Sequence, residues 1–241
     1  MSYPFPWAPV GGPIETPARD TFVYDDASYV NSSTTADFAL WHLTVGGTPG
    51  TSAVADAAGE FIISDITGGT ATNHNQYAVN GEAFKIASDR NLDVYGAFSL
   101  VDVSETIFGF GLWATGTDKL GVTSNVVVSN GLEGVGFFTE RSDGIIFCHV
   151  GDGTDEVTQS TGVTLADNDW VELAIKTEGD KCVTFGVRKN GGEWVFIKVR
   201  KRETANAIPT GELTLMRHIE ADSSAAQTVK RKKIVASSRF Y

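Results

Sequence analysis

From residue 21 onward, hydrophobic and polar positions follow a two-residue period rather than a helical one. Val171, Leu173 and Ile175 share one side of their segment, and Val183 and Phe185 repeat the pattern further along. This alternation is typical of half-buried β-strands. The predicted strands cover residues 60–65, 76–79, 83–86, 92–100, 106–114, 134–140, 144–150, 156–163, 170–176, 182–189, 194–199, 212–218 and 233–240.

Short polar and glycine-rich stretches separate these strands. Asn190-Gly191-Gly192 is a strong hairpin signal because Asn and Gly accept the positive φ angles of tight turns. Arg141-Ser142-Asp143-Gly144 predicts a second hairpin, and residues 45–59 and 115–130 are predicted as loops. Many short strands without a linker predict one all-β domain, a sandwich or barrel, over residues 21–241.

The first twenty residues differ from the rest of the chain in composition. They hold five of the seven prolines, so residues 1–20 are predicted to form an extended arm rather than part of the sheet. Tyr3, Phe5 and Trp7 are unusual for a solvated tail, which normally lacks aromatic residues. We therefore expect the arm to dock on a partner subunit or on its own domain.

Composition narrows the class of protein. The chain is 41% hydrophobic and 20% charged, and no apolar stretch approaches the roughly 18–20 residues of a membrane span. The N-terminus lacks a basic start and an apolar stretch, so we expect synthesis in a cytoplasm and no membrane partner. Cys148 and Cys182 lie in strand patterns and are predicted to be buried thiols, with a disulfide disfavoured in a reducing compartment.

Charge is distributed unevenly along the chain. Residues 181–241 carry 13 Lys and Arg against 5 Asp and Glu, whereas residues 1–180 carry 6 against 25. One interpretation is a basic face for an acidic partner, and the other is that the late strands neutralise acidic neighbours. Nucleic acid is disfavoured because the net charge is −11 and the basic runs lack interleaved aromatics. The candidate partner-binding residues are Tyr3, Phe5, Trp7, Arg200, Lys201, Arg202, Lys230, Arg231, Lys232 and Lys233.

The succession of segments resembles a known fold family. Asp169-Trp170-Val171-Glu172-Leu173-Ala174-Ile175, followed by an alternating strand that ends in Lys189-Asn190-Gly191-Gly192, is similar to the paired core strands of concanavalin-like (laminin-G-like) jelly rolls in tailed-phage virion proteins. The resemblance spans about residues 35–240. It implies a single jelly-roll β-sandwich that follows the extended N-terminal arm.

The resemblance also implies a function. It is that of a structural virion protein on the capsid exterior, which decorates or cements the shell by binding the major capsid protein as a homo-oligomer, a trimer or dimer. The alternative is a carbohydrate-binding module of a phage fibre or head appendage, because similar sandwiches serve several functions. For that alternative, residues 72–77 are the best candidate for a glycan-binding loop.

The residues do not suggest catalysis. No G-x-S-x-G motif and no E-x-D-x-x-E carboxylate spacing occur, so we expect no enzyme activity and no cofactor. His149 and His218 lie in strand patterns and are predicted to be packed structural residues. Asp/Gly/Asn clusters at 152–156 and 167–169 are predicted turns rather than calcium sites. Trp113, Trp170 and Trp194 are predicted to lie in the core.

Overall fold

A computed structural model describes residues 21–25, 41–48, 50–54, 62–79, 84–114, 132–139, 143–201 and 207–240. Within these ranges the chain forms β-strands joined by turns, without an α-helix, so the all-β prediction is confirmed. In particular, none of the described segments forms an apolar helix of membrane-crossing length.

Sheet A has eight strands. In chain order they are β1 (Thr21–Asp25), β3 (Thr51–Val54), β4 (Ile63–Ile66), β7 (Arg90–Leu100), β12 (Trp170–Thr177), β13 (Cys182–Lys189), β14 (Val195–Arg200) and β16 (Thr228–Phe240). Their order across the sheet is β14-β13-β12-β7-β16-β4-β3, and β1 pairs with the last part of β16.

Sheet B also has eight strands. They are β2 (Trp41–Gly46), β5 (His74–Val79), β6 (Phe84–Lys85), β8 (Thr106–Trp113), β9 (Glu133–Thr139), β10 (Ile145–Asp152), β11 (Glu156–Thr164) and β15 (Glu212–Ala221). The spatial order is β11-β10-β9-β8-β15-β5-β2, with β6 beside the start of β15. The strand pairs described in both sheets are antiparallel.

The two sheets pack face to face around the main hydrophobic core. In the central strands, alternate residues point inward, as the two-residue period requires. Phe98 of sheet A meets Phe108 and Phe110 of sheet B at ring-centroid distances of 4.8 Å. Phe137 and Phe185 make a further edge-to-face contact between the sheets. We call these core-facing sides the inner faces and the opposite sides the outer faces.

The predicted strands agree with the structure over most of the chain, with β13 matching residue for residue. Three strands were missed. The predicted loop at 45–59 is wrong in part, because it contains the end of β2 and all of β3. β3, Thr51–Val54, consists of Thr, Ser, Ala and Val and shows no clear apolar alternation. β2 does alternate, with Trp41, Leu43 and Val45 separated by His42 and Thr44, so a strand signal was present there and was not used. Both are terminal strands of their sheets. The strand β1 was also not predicted, and the predicted loop at 115–130 lies outside the described residues.

Both predicted hairpins are confirmed. The turn between β13 and β14 has Asn190 at φ 50° and Gly191 at φ 69°, which is the backbone conformation that Asn and Gly accept most readily. Strands β9 and β10 form the other hairpin, with Gly144 at φ 64°.

Both cysteines are buried free thiols, as predicted. Cys148 belongs to sheet B and Cys182 to sheet A. Burial raises the pKa of the Cys148 thiol to about 12, so this sulfur stays protonated and unreactive near neutral pH.

Candidate functional site

The two basic runs lie on the same sheet but not together. β14 and β16 both belong to sheet A, and β13, β12 and β7 separate them. Neighbouring strands are about 4.8 Å apart, so the runs are about 19 Å from each other across the sheet. One interpretation of the sequence was a single basic face, whereas the structure places the two runs apart, with β14 at the edge of sheet A and β16 inside the sheet.

Strand alternation divides the run on β16. Lys230 pairs in register with Ser99, and Lys232 lies at a bulge opposite Ala97, so both point to the outer face of sheet A. Arg231 lies opposite Phe98 and points into the core, where it is 5% exposed. The prediction that Arg231 binds a partner is therefore wrong for this side chain, because burial removes it from the surface. Lys233, half-buried, shares the bulge with Lys232.

The run on β14 is divided in the same way. Lys198 and Arg200 are exposed on the outer face of sheet A, and Val199 between them is buried in the core. Lys201, just after the strand, forms an ion pair with Asp180 in which Nζ and Oδ2 are 2.7 Å apart. The remaining predicted residues, Tyr3, Phe5, Trp7 and Arg202, lie outside the described residues.

Arg231 joins a buried ionic cluster that links the sheets. Its Nε lies 3.3 Å from Asp65 Oδ2 on β4. Arg217 of sheet B donates from Nε to the same oxygen at 3.1 Å, and both side chains of that pair are 1% exposed. The Arg217 guanidinium also lies over the rings of Tyr77 and Trp41, at 3.9 and 4.5 Å from their centroids. We call Asp65, Arg217 and Arg231 the core ionic cluster.

The predicted core positions of two tryptophans are wrong. Trp170 and Trp194 are half-buried on the outer face of sheet A rather than inside the sandwich. The Lys232 ammonium lies 4.5 Å from the Trp170 ring centroid, which is a cation–π geometry. Trp113 is fully buried, but it belongs to a second apolar cluster with Phe138 and Met216, separate from the main core.

Trp194 and Phe196 form an aromatic pair at the β14 edge of sheet A. Their rings are inclined by 9° with centroids 6.0 Å apart, and Phe196 is 43% exposed. Both rings rest on the backbone of β13 at Gly186. A Cβ atom there would lie 3.0 Å from Phe196 Cε1 and 3.2 Å from Trp194 Cε3. Glycine at this position therefore lets the two rings lie low on the sheet.

A network of three hydrogen-bonded side chains, Arg188, Glu172 and Tyr95, lies beside this aromatic pair. Arg188 makes a two-pronged ion pair with Glu172, with Nε to Oε1 at 2.8 Å and Nη2 to Oε2 at 2.6 Å. Its guanidinium carbon lies 4.9 Å from the Trp194 ring centroid. Tyr95 donates its hydroxyl to Glu172 at 2.8 Å. Burial and the neighbouring Glu172 charge raise the pKa of Tyr95, and the hydrogen bonds to Glu172 raise the pKa of Arg188.

These braced aromatics were not identified from the sequence as functional residues. The available signal was the Trp194-x-Phe196 spacing directly after a tight turn, which puts both rings on one side of an edge strand. Trp194 was predicted to lie in the core because it falls in a strand pattern. Such a pattern does not show whether the side of the sheet that carries the residue is covered by other segments.

The outer face of sheet B differs from that of sheet A, because buried aromatic rings pack directly against glycine residues there. Gly136 of β9 lies under Trp113, and a Cβ atom at Gly136 would come within 2.2 Å of Trp113 Cζ2. His149 packs beside the same indole at a centroid distance of 5.7 Å. Its Nε2–H donates to the Leu132 carbonyl at 3.1 Å, so Nδ1 accepts from the Thr158 hydroxyl at 2.9 Å. Burial lowers the pKa of His149. The prediction of a packed, hydrogen-bonded His149 is confirmed.

The predicted glycan-binding loop at 72–77 is mostly strand β5. Asn75, Gln76 and Tyr77 are buried, so these side chains do not form an exposed site. His74 contacts the fully buried His218 on the outer face of sheet B, with ring centroids 5.2 Å apart. His218 Nε2 lies 3.3 Å from Glu220 Oε2. His218 is thus packed, as predicted.

The two acidic clusters at 152–156 and 167–169 form turns, as predicted. Asp152 Oδ1 accepts hydrogen bonds from the backbone of Thr154 and Asp155, both at 2.8 Å. Asp169 Oδ2 accepts from the Ala166 amide at 2.8 Å, and Asn168 has φ 63°. These bonds lower the pKa of both carboxyls. In the part of the chain that the structure describes, no three His, Cys, Asp or Glu side chains converge as metal ligands would.

Comparison with solved structures identifies the fold. Arcelin-5, a lectin-like defense protein from Phaseolus vulgaris, superposes with a TM-score of 0.60 at 9% identity, covering 92% of this chain and 99% of that protein. Lectin UEA-II complexed with galactose gives 0.58 at 9% identity, covering 92% and 100%. A protein of unknown function from Shewanella oneidensis MR-1 gives 0.60 at 10% identity, covering 92% and 87%.

At these identities the likeness shows the fold alone, and the predicted concanavalin-like jelly roll is confirmed. No protein-family model matches the sequence, and the search among curated proteins found no match.

Proposed function

We propose that this protein is a structural, non-enzymatic virion protein of a tailed phage that decorates or cements the capsid by binding the major capsid protein. The observation that carries the proposal is the arrangement of charge on sheet A. Lys230 and Lys232 on β16, and Lys198 and Arg200 on β14, all point to its outer face. A protein with a net charge of −11 thus carries two groups of cations on one face, which suit an acidic partner.

The path of the chain adds a second support. β1, which follows the predicted arm at 1–20, pairs with β16, the strand that carries Lys230 and Lys232, with Thr21 opposite Ser238 toward the far end of that strand. An arm of this length in an extended conformation spans up to about 60 Å, which is enough to reach a neighbouring subunit. We propose that the arm and the β16 lysines act together in attachment, with the protein present as a dimer or trimer on the capsid exterior.

The test is cosedimentation with capsids from which the protein has been removed. Full-length protein is expected to cosediment, and the double variant Lys230→Glu/Lys232→Glu is expected to bind about tenfold more weakly, more so at low salt. Lys85→Glu, at an exposed lysine of sheet B, is the matched control and is expected to bind like the wild type.

A variant that lacks residues 1–20 tests whether the arm contributes to capsid attachment. Loss of attachment in that chain supports the arm as an anchor. Failure of the full-length protein to bind capsids would contradict the cement function.

A second candidate is a carbohydrate-binding module of a phage fibre or head appendage. It is favoured by the braced Trp194–Phe196 pair, because exposed, preorganised aromatic rings are a common element of small-ligand recognition. The fold shared with a lectin complexed with galactose is compatible with it. A glycan-binding titration that gives no signal with any tested saccharide would remove this candidate.

A further inference from the structure

We propose that Trp194 and Phe196 form a stacking subsite for a pyranose ring of an acidic saccharide, with Lys198 as the partner of the sugar's carboxylate. The inference rests on the carbohydrate-binding candidate and is independent of capsid attachment. The subsite lies on the β14 edge of sheet A, four strands away from Lys230 and Lys232 on β16. Both surfaces can therefore be occupied at once.

The first argument is shape. The two rings are nearly parallel and pack against Gly186, and Phe196 is 43% exposed, so an apolar ring surface is open to solvent at this edge of the sheet. Val195 and Phe196 are the large hydrophobic side chains that remain exposed among the described residues. A pyranose ring has one broad C–H face that fits such a surface. Its equatorial hydroxyls then point outward to polar neighbours.

The second argument is rigidity. The guanidinium of Arg188 lies over the Trp194 ring and is itself fixed by Glu172, which also accepts the Tyr95 hydroxyl. The turn before Trp194 is held by Asn190, whose Oδ1 accepts from the Trp170 amide at 2.8 Å. Side chains that are already ordered lose little conformational entropy on binding, so a small contact area can give measurable affinity.

The third argument is charge. Lys198 follows Phe196 by two residues on the same face of β14, and Arg200 follows two residues later. Lys176 lies level with Lys198, two strands across the sheet. Glu193 is at the other end, beside the turn, and Glu172 is already paired with Arg188. A saccharide stacked on the rings therefore meets Lys198 at one end, whereas the Arg188 charge at the Trp194 end is already paired with Glu172. This matches a sugar whose carboxylate points toward Lys198.

The experiment is calorimetric titration of the full-length protein with short oligogalacturonides, and with neutral malto-oligosaccharides of equal length. We expect binding of the acidic probe only. Phe196→Ala and Trp194→Ala are each expected to lower the affinity about tenfold or more, and Lys198→Glu is expected to lower it for the acidic probe. Val195→Ala changes an exposed side chain of the same strand that points to the other side, so it is expected to bind as the wild type does.

The alternative outcomes are distinct. No binding of either probe by the wild type overturns the subsite, whereas the carbohydrate-binding candidate falls only if the wider set of saccharides also gives no signal. Binding that survives both aromatic substitutions overturns the subsite but leaves the candidate function. Equal affinity for the neutral probe overturns the acidic ligand class. Capsid attachment lost in Phe196→Ala, with glycan binding intact, assigns the pair to protein docking instead.

Discussion

Two arginine–carboxylate clusters in this molecule use the same chemistry on opposite faces of one sheet. In the core ionic cluster, Asp65 on the inner face of sheet A accepts a hydrogen bond from Arg217 and forms an ion pair with Arg231, in surroundings that exclude water. On the outer face, Glu172 accepts from Arg188 with side chains 17% and 20% exposed, respectively. The outer pair has the shorter and better directed contacts, whereas the inner cluster has two cations for one anion.

The difference shows that burial, rather than distance, sets what each cluster contributes to folding. Removing the Asp65 carboxylate would leave two guanidinium groups without their counter-charge in a low-dielectric interior, where an unpaired ion is very costly. Removing the Glu172 carboxylate leaves Arg188 close to solvent, which hydrates the freed charge. The rings of Tyr77 and Trp41 reduce the desolvation cost of Arg217 but do not replace the carboxylate.

The largest expected effect is from Asp65→Asn. The variant keeps the side-chain volume and removes the negative charge, so we expect the free energy of unfolding to fall by about 3–5 kcal/mol in urea denaturation. A loss below about 1 kcal/mol would contradict the assignment of Asp65 as the counter-charge of both arginines.

A triple variant separates charge from packing. Asp65→Leu/Arg217→Met/Arg231→Met removes every charge of the core ionic cluster, and hydrophobic replacement of a buried ionic group is often neutral or stabilising. We therefore expect it to be more stable than Asp65→Asn alone. If the triple variant were the less stable of the two, shape rather than charge would dominate at this position.

The next largest effect is expected at Gly136, and Gly186 provides the comparison. Each glycine lies against aromatic rings on the outer face of its sheet. At Gly136 a methyl group would lie 2.2 Å from Trp113 Cζ2 and 2.8 Å from the Phe110 carbonyl, so buried groups must move. At Gly186 the contacts are 3.0–3.3 Å and involve the half-exposed Phe196 and Trp194. Gly136→Ala is expected to cost about 1–3 kcal/mol in unfolding free energy and Gly186→Ala clearly less. Equal losses would mean that the two outer faces are equally packed.

A pH effect of intermediate size is expected at His149, on the outer face of sheet B. Its pKa is lowered in the folded protein by burial, so protonation favours the unfolded chain. The stability associated with neutral His149 is complete above the unfolded pKa of about 6.5 and decreases as the pH falls below it. His149→Gln is expected to flatten the decrease in unfolding free energy between about pH 7 and pH 5. The same slope in both proteins would show that other groups cause the acid sensitivity.

The alternation of residues predicted most strands because burying one face of a sheet forces a two-residue period. It placed β7 to β16 within five residues but missed β1, β2 and β3, which are four to six residues long and each pair with one described strand. The same period explains the error at Arg231. A run of like charges on a strand divides between both faces, so a basic run in the sequence is not a basic patch on the surface.

The candidate site was less predictable than the fold. Trp194 and Trp113 were both predicted to lie in strands of the core, yet the first lies beside solvent and the second is fully buried. What decides between them is which segments cover the outer face of each sheet, and this depends on the tertiary arrangement rather than on local pattern. Likewise, Asp65 and Arg217 are 152 residues apart in the chain, and no local signal connects them.

The smallest expected effect is that of Glu172→Gln, on the outer face of sheet A. Glu172→Gln removes the charge that holds Arg188 and accepts the Tyr95 hydroxyl, but solvent can hydrate the freed guanidinium. We expect a loss of at most about 1 kcal/mol in unfolding free energy, against several times that for Asp65→Asn. The pKa of Tyr95 is expected to fall toward its ordinary value while staying above it, because burial is the main cause of the upward shift. A spectrophotometric titration of the tyrosines in both proteins measures this, and an unchanged Tyr95 pKa would show that Glu172 does not brace the aromatic pair through this hydrogen bond.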